Sequence, residues 1–207
     1  MAEPRNPLTD MIRNGTLEAL GDIASLYPDD PLVGFALLTD DDLSGVFHAA
    51  CTASFAGSSE LPDIKFLPTD WNQAADRAPA GLVEAETYLQ HRQTRPDRSE
   101  SASDAFRAIV AGVALARTEA GVDDSVFVTV GSTDPGELME QLEEQAVSQL
   151  NTRDVILAWH QWEIDGAREW LHRLESKSLP LSYGDEYHIG MLRSDITRRE
   201  KILRGAG

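Results

Sequence analysis

Four short stretches of this chain read as β-strands, and they do not alternate regularly with helices. Apolar runs near residues 32–39 and 45–52 flank Thr39-Asp40-Asp41-Asp42-Leu43-Ser44, a polar loop of hairpin length, so the two are expected to pair antiparallel. A brief third run covers 64–67, and the fourth, 125–130 (Ser-Val-Phe-Val-Thr-Val), is the clearest of all because β-branched residues favour the pleated backbone. A doubly wound nucleotide-binding sheet needs a crossover helix after each strand, which this order does not supply. The pattern predicts an α+β protein with a small, mostly antiparallel sheet packed with helices and a helical C-terminal third.

The helical segments are read from apolar spacing and from end signals. Leu8, Met11, Ile12, Leu20, Ile23 and Leu26 approximate a helical period, with Thr9 or Asp10 as caps and Gly15 and Gly21 as weak points. Residues 81–92 have helical composition. Residues 56–62 read as a loop, and 93–103 as a polar, proline-containing connector. Phe106, Ile109, Val110, Val113 and Ala114 mark the apolar face of a helix over 104–120. Another helix is expected to 150, with Asp134 as its cap, Pro135 at its first position and Glu137 completing a capping box. A further helix should extend from 152 or 154 to about 176, and a last one from 190 to 203. The organisation expected is an α+β domain over 1–151 and a helical extension over 152–207 packed on the same domain.

Composition narrows the function classes. The 207 residues include 35 acidic and 18 basic side chains, a formal charge of -17. By segment the net charge is -11 over 1–90, +1 over 91–120, -9 over 121–176 and +2 over 177–207. A chain of this sign is repelled by nucleic acid and anionic lipid, and the basic residues near 193–204 are interrupted by Asp195 and Glu200 without an aromatic platform. No apolar run reaches the 18 or so residues that span a bilayer. Residues 1–7 lack a basic region followed by an apolar run, so a cytoplasmic protein is expected. Cys51 is the single cysteine, which excludes an internal disulfide and multi-cysteine zinc sites, and its apolar surroundings predict a small core residue.

Candidate chemistry is sparse. Asp40, Asp41 and Asp42 form the densest carboxylate cluster but lack the spacing of a calcium loop. His160 with Glu163 and Glu169 with His172 have metal-ligand spacing. At about 100° per residue, however, the two pairs point to opposite sides of one helix, so no metal site is expected. The Gly131-Ser-Thr-Asp-Pro-Gly turn has the place of an anion site at a helix N-terminus, but Glu137, Glu140, Glu143 and Glu144 follow it and would repel phosphate. Signatures of hydrolases, metalloproteases and kinases are absent, so no catalytic residue and no cofactor is assigned. Val155, Ile156, Trp159, Trp162, Trp170 and Leu174 share one broad apolar face, a core face or a partner surface. Glu163 lies within that face and would need a cationic or hydrogen-bonding partner, which makes it the candidate perturbed carboxylate.

Phe35-Ala-Leu-Leu-Thr-Asp40, Ala49-Ala-Cys-Thr52, Phe66-Leu-Pro-Thr-Asp-Trp71, Phe127-Val-Thr-Val130 and the helix ending at Leu150-Asn151 are similar to a family of functionally uncharacterised bacterial proteins, over residues 8–151. The resemblance implies a bacterial origin and an α+β fold, and it carries over no catalytic residue. The leading expectation is a non-enzymatic acidic protein that binds a basic protein partner, as an immunity protein neutralises a cationic toxin domain. Asp40, Asp41, Asp42, Glu137, Glu140 and Glu144 are its candidate contacts. The first alternative is an enzyme or small-ligand protein with a site assembled from distant residues such as Trp71, His160 and Glu163. The second is a homodimeric scaffold joined through Trp159, Trp162 and Trp170.

Overall fold

A computed structural model describes residues 6–40, 42–59, 63–71, 78–93, 102–133, 137–176 and 183–205. The chain divides into two compact units, 1–152 and 153–207.

In the first unit, helix α1 (Pro7–Leu26) is capped by Asn6, whose side chain accepts from the Leu8 amide at 2.9 Å, rather than by Thr9 or Asp10. Asn6 precedes a proline, which starts the helix one turn earlier than the apolar spacing indicates. Strands β1 (Leu32–Thr39) and β2 (Val46–Thr52) form the expected antiparallel hairpin. The turn between them is built by its own residues: the Leu43 amide donates to the Asp40 carbonyl at 3.0 Å. Leu43 adopts a left-handed φ of 54°, an unfavourable backbone offset by burying its side chain completely.

Two expectations fail between residues 53 and 70. The segment read as a loop starts with a short helix, α2 (Ala53–Ser58), and the stretch read as a third strand is a pair of 3-10 turns, Ile64–Phe66 and Pro68–Asp70. Asp63 takes a left-handed φ of 53° and its carbonyl accepts from the Phe66 amide, closing a turn that buries Ile64 and Phe66 together. Two buried residues separated by half-buried Lys65 imitate strand alternation. Phe66 meets Phe127 edge to face at 5.0 Å between ring centroids, and Trp71 donates to the Ile64 carbonyl at 2.7 Å. The Trp71 ring lies so close to Gly34 that a Cβ there would sit 2.6 Å from it.

Helices α3 (Ala80–Gln93) and α4 (Ala102–Ala120) follow, then β3 (Phe127–Ser132) and α5 (Glu137–Leu150). The strand order is β2-β1-β3, with β3 parallel to β1, so the sheet is mixed rather than mostly antiparallel. Helices α3 and α4, which come between the β1–β2 hairpin and β3, supply a connection long enough for parallel pairing. The main core gathers residues from α1, α3, α4, α5 and the sheet, among them Ile12, Phe35, Leu37, Leu82, Phe106, Ile109 and Val128. Where α1 meets α3, a Cβ on Gly81 would lie 2.4 Å from the Gly15 backbone nitrogen and one on Gly15 2.5 Å from that of Leu82. Gly15, a weak point for the isolated helix, is what lets two backbones approach. The capping box at Asp134 and Pro135 falls outside the described residues.

The second unit is a helical hairpin of α6 (Arg153–Glu175) and α7 (Tyr183–Gly205), which pack on each other. Helix α7 begins seven residues before its expected start. Leu157, His160, Ile164, Ala167, Leu171 and Leu174 repeat at intervals of three and four. So do Asp185, Ile189, Leu192, Ile196, Arg199 and Leu203, and every one of these twelve is buried or half-buried. That is a heptad-type seam, with His160 and Arg199 meeting in a polar layer within it and Asp185 near the start of its α7 strip.

Candidate binding surfaces

The acidic hairpin tip is partly structural. Asp40 accepts from the Ser44 amide at 2.5 Å and from the Ser44 hydroxyl. Burial alone would raise its pKa, but the hydrogen bonds from Ser44 and Gly45 outweigh it and hold the carboxyl below its ordinary range. Asp42 is exposed, whereas Asp41 falls outside the described residues. At the opposite end of the hairpin, hydrogen bonds from the Thr52 hydroxyl and the Ser54 amide hold the Asp30 carboxyl below its usual range, and Asp30, in the loop before β1, thereby caps the start of α2.

The carboxylates on α5 divide in the same way. Met139, Leu142, Ala146, Val147 and Leu150 are buried, so Glu140 faces solvent and Glu144 is half-buried. Glu137 opens the helix. Glu143 turns to the sheet instead and accepts from the Ser132 amide. At the other end of β3 the Asn151 side chain acts as a substitute strand: it accepts from the Val128 amide at 2.8 Å and donates to the Val128 carbonyl at 2.6 Å. Together Glu143 and Asn151 satisfy backbone groups that an added strand would need. Arg117 donates to the Leu150 carbonyl at the end of α5 and, at 3.4 Å, to Asp124 in the loop before β3.

The titratable groups within the first unit's core are poor reagents. Burial, with a smaller contribution from Asp30, pushes the Cys51 thiol up to about 11, so it is protonated at neutral pH. Burial lowers the pKa of His48 against the opposing charge of Asp22. Among the described residues no group of three or more His, Cys, Asp or Glu side chains gathers as a metal site, and no helix is long and apolar enough to cross a membrane.

In the second unit the structure brings together several residues singled out from sequence. Arg199, whose side chain is only 9% exposed, donates to Asp195 at 2.8 Å and lies 3.6 Å from Glu163. Its guanidinium stacks over the Trp159 ring at 4.8 Å and contacts His160 Nδ1 at 3.1 Å. A guanidinium has no acceptor, so that contact requires a lone pair on Nδ1 and assigns the neutral tautomer protonated at Nε2. Burial would raise the Asp195 carboxyl, but hydrogen bonds from Arg199 and Arg198 hold it below its ordinary range. Glu163 thus has the cationic partner its position called for. Trp162 is half-buried and Trp170 exposed, so the three tryptophans do not form one buried face; the seam against α7 runs beside them. Glu169 and His172 are exposed, and Glu169 pairs with Arg173. Trp71 belongs to the first unit, and His160 and Glu163 to the second.

Sequence reading missed Arg199 as the organiser of this cluster. The available signal was the 4-3-4-3-4 spacing of α7, in which Arg199 stands between Ile196 and Leu203 at a seam position.

Residues 11–152 match the model of the family DUF4303, a domain of unknown function. The chain belongs to that family. No curated protein and no solved structure matches the chain. The DUF4303 domain ends where the first compact unit ends, and the charge divides at the same place. Residues 1–152 hold 26 acidic and 9 basic side chains, the whole net charge of -17. Residues 153–207 hold 9 of each and are electroneutral. The net acidity thus belongs to the unit that holds the DUF4303 domain, and the following hairpin contributes none.

Proposed function

We propose that this is a non-enzymatic, acidic bacterial protein of the cytoplasm whose DUF4303 domain binds a basic protein partner, in the manner of an immunity protein neutralising a cationic toxin domain. The observation that carries the reading is the segregation of charge: 26 carboxylates against 9 cations on one compact unit, beside a neutral one. A charge of one sign concentrated on one body creates the long-range field that steers an oppositely charged partner and discriminates against others. The internal roles of Asp40 and Glu143 direct the contact surface to the more exposed carboxylates, chiefly Asp42 and Glu140, together with half-buried Glu144. The raised Cys51 thiol and buried His48 are consistent with a domain that binds rather than reacts.

The test begins with the genes adjoining this one. A basic domain encoded there is purified with the full chain and titrated by calorimetry over rising salt. The expected result is a tight complex whose affinity falls by about tenfold or more from low to physiological salt, and again in the triple variant Asp42→Asn, Glu140→Gln, Glu144→Gln. A complex insensitive to both salt and these substitutions overturns the reading, as does failure of every adjoining basic domain to bind.

A further inference from the structure

The hairpin presents a second surface, chemically unlike the acidic domain. Two ion pairs, Arg168 with Glu200 and Arg193 with Glu175, mark one side of it, and the cluster of Trp159, Glu163, Asp195 and Arg199 marks the other. Helix geometry extends that second side. Trp170 follows Trp159 by three turns and points within about 20° of it. On α7, Met191 and Ile202 step away from Asp195 by four and seven residues along the same stripe, and Tyr187 lies one turn before Met191. Tyr187, Trp170 and Met191 are 60%, 59% and 52% exposed, so this side carries three large solvent-facing hydrophobes.

We propose that this side of the hairpin docks against the same side of a second copy of the chain, forming a two-fold dimer. The stripe is self-complementary. Antiparallel apposition of two α7 helices about an axis between residues 196 and 197 sets Asp195 beside Arg198 of the second copy and Met191 beside its Ile202, each contact occurring twice. Aromatic, methionine and arginine side chains of this kind are enriched at interface cores. The exposed parts of Trp170, Tyr187, Met191 and Ile202 amount to roughly 400 Å² per copy, which a polar rim brings to the lower end of the standard interface size. Electrostatics favours a copy over the basic partner proposed above: the hairpin is neutral and offers no net field to a cation, while its opposite charges are placed to cross-pair.

Sedimentation of the full chain from about 1 to 200 µM tests this, since an interface of that size gives micromolar association. The expected result is a reversible monomer–dimer equilibrium. It should hold or strengthen in 1 M salt, because screening weakens repulsion between the two acidic domains while the apolar contact persists. Met191→Lys and Trp170→Ser should each shift it at least tenfold toward monomer with unchanged helicity and melting temperature, whereas Arg168→Gln, on the opposite side, should leave it in place. A monomer at every concentration overturns the proposal, and so does a dimer that responds equally to substitutions on both sides. Binding of a basic domain weakens with salt and requires the acidic domain, so failure of one proposal is distinguishable from failure of the other.

Discussion

Residues 1–152 hold their helices and sheet around a contiguous apolar core and carry the entire net charge, whereas residues 153–207 hold two helices along a narrow seam and carry none. In the hairpin, charges are paired almost as they are placed: Arg168 with Glu200, Arg173 with Glu169, Arg193 with Glu175, Arg198 with Asp195. Such exposed pairs contribute up to about 1 kcal/mol each, and together they support a seam too thin to bury much surface. The domain stabilises itself differently. Its core lies between helices and sheet, and its excess carboxylates add repulsion rather than support. Charge in the hairpin is therefore balanced and largely structural, whereas the carboxylates of the domain outnumber the cations available to pair with them.

The largest expected effect tests the layer of the hairpin in which Arg199 is buried. Arg199→Met removes a shared partner of Asp195, Glu163 and His160 and leaves Asp195 its pair with Arg198, and should cost about 2–4 kcal/mol because the lost cation is buried. Hydrogen exchange over 153–205 reads the loss, with little change over 7–150 if the units are energetically separate. The pH dependence has a definite sign. The folded Asp195 carboxyl titrates below its unfolded value, so its contribution is complete above about pH 4 and is lost as pH falls through the folded value. The variant should lose part of that acid-sensitive contribution, since Arg198 still pairs with Asp195.

Next in size is a contrast between glycines. Gly81→Ala places a methyl group 2.4 Å from the Gly15 nitrogen and should cost about 1–3 kcal/mol by forcing α1 and α3 apart. Gly190→Ala in α7 meets nothing within 4 Å and should instead stabilise the hairpin by about 0.5–1 kcal/mol. Denaturant melts of both variants measure the two signs, and a stabilised Gly81→Ala variant would mean that the α1–α3 crossing is looser than described.

These sites also show what was legible beforehand. The β1–β2 hairpin, the strand before α5 and the burial of Cys51 followed from local apolar patterning, which the fold respects. The direction of β3 did not, because an apolar run encodes burial but not the sense of its partner; only the helices between β1 and β3 hinted at parallel pairing. Ile64 and Phe66 misled because one turn of 3-10 helix and a short strand both bury alternate residues there. Gly15 could be judged only as a helix weakener until α3 was placed against it. Of the candidate contacts, sequence identified carboxylates but not which were already engaged, as Asp40 is by Ser44. Arg199 was counted with a basic tail because its partners come from another helix and from the preceding turn of its own.

Edge closure in the domain gives an intermediate effect. Asn151→Ala leaves the Val128 amide and carbonyl without their side-chain partner and should cost about 1–2 kcal/mol. Exchange of the Val128 amide should accelerate more than that of β1 amides; an unchanged rate would show that α5 shields this edge without the amide.

The smallest effect is the most direct test of the comparison, because its sign differs between the units. Glu140→Gln removes one charge from a surface in excess of carboxylates and should raise stability slightly, by about a few tenths of a kcal/mol at low salt. Glu200→Gln removes the partner of Arg168 and should lower stability by about the same amount. Both changes should shrink in 1 M salt, where the screening length falls to about 3 Å. If the two substitutions shift stability in the same direction, the domain's charge is compensated locally after all, and its excess carboxylates lose their standing as a surface reserved for a partner.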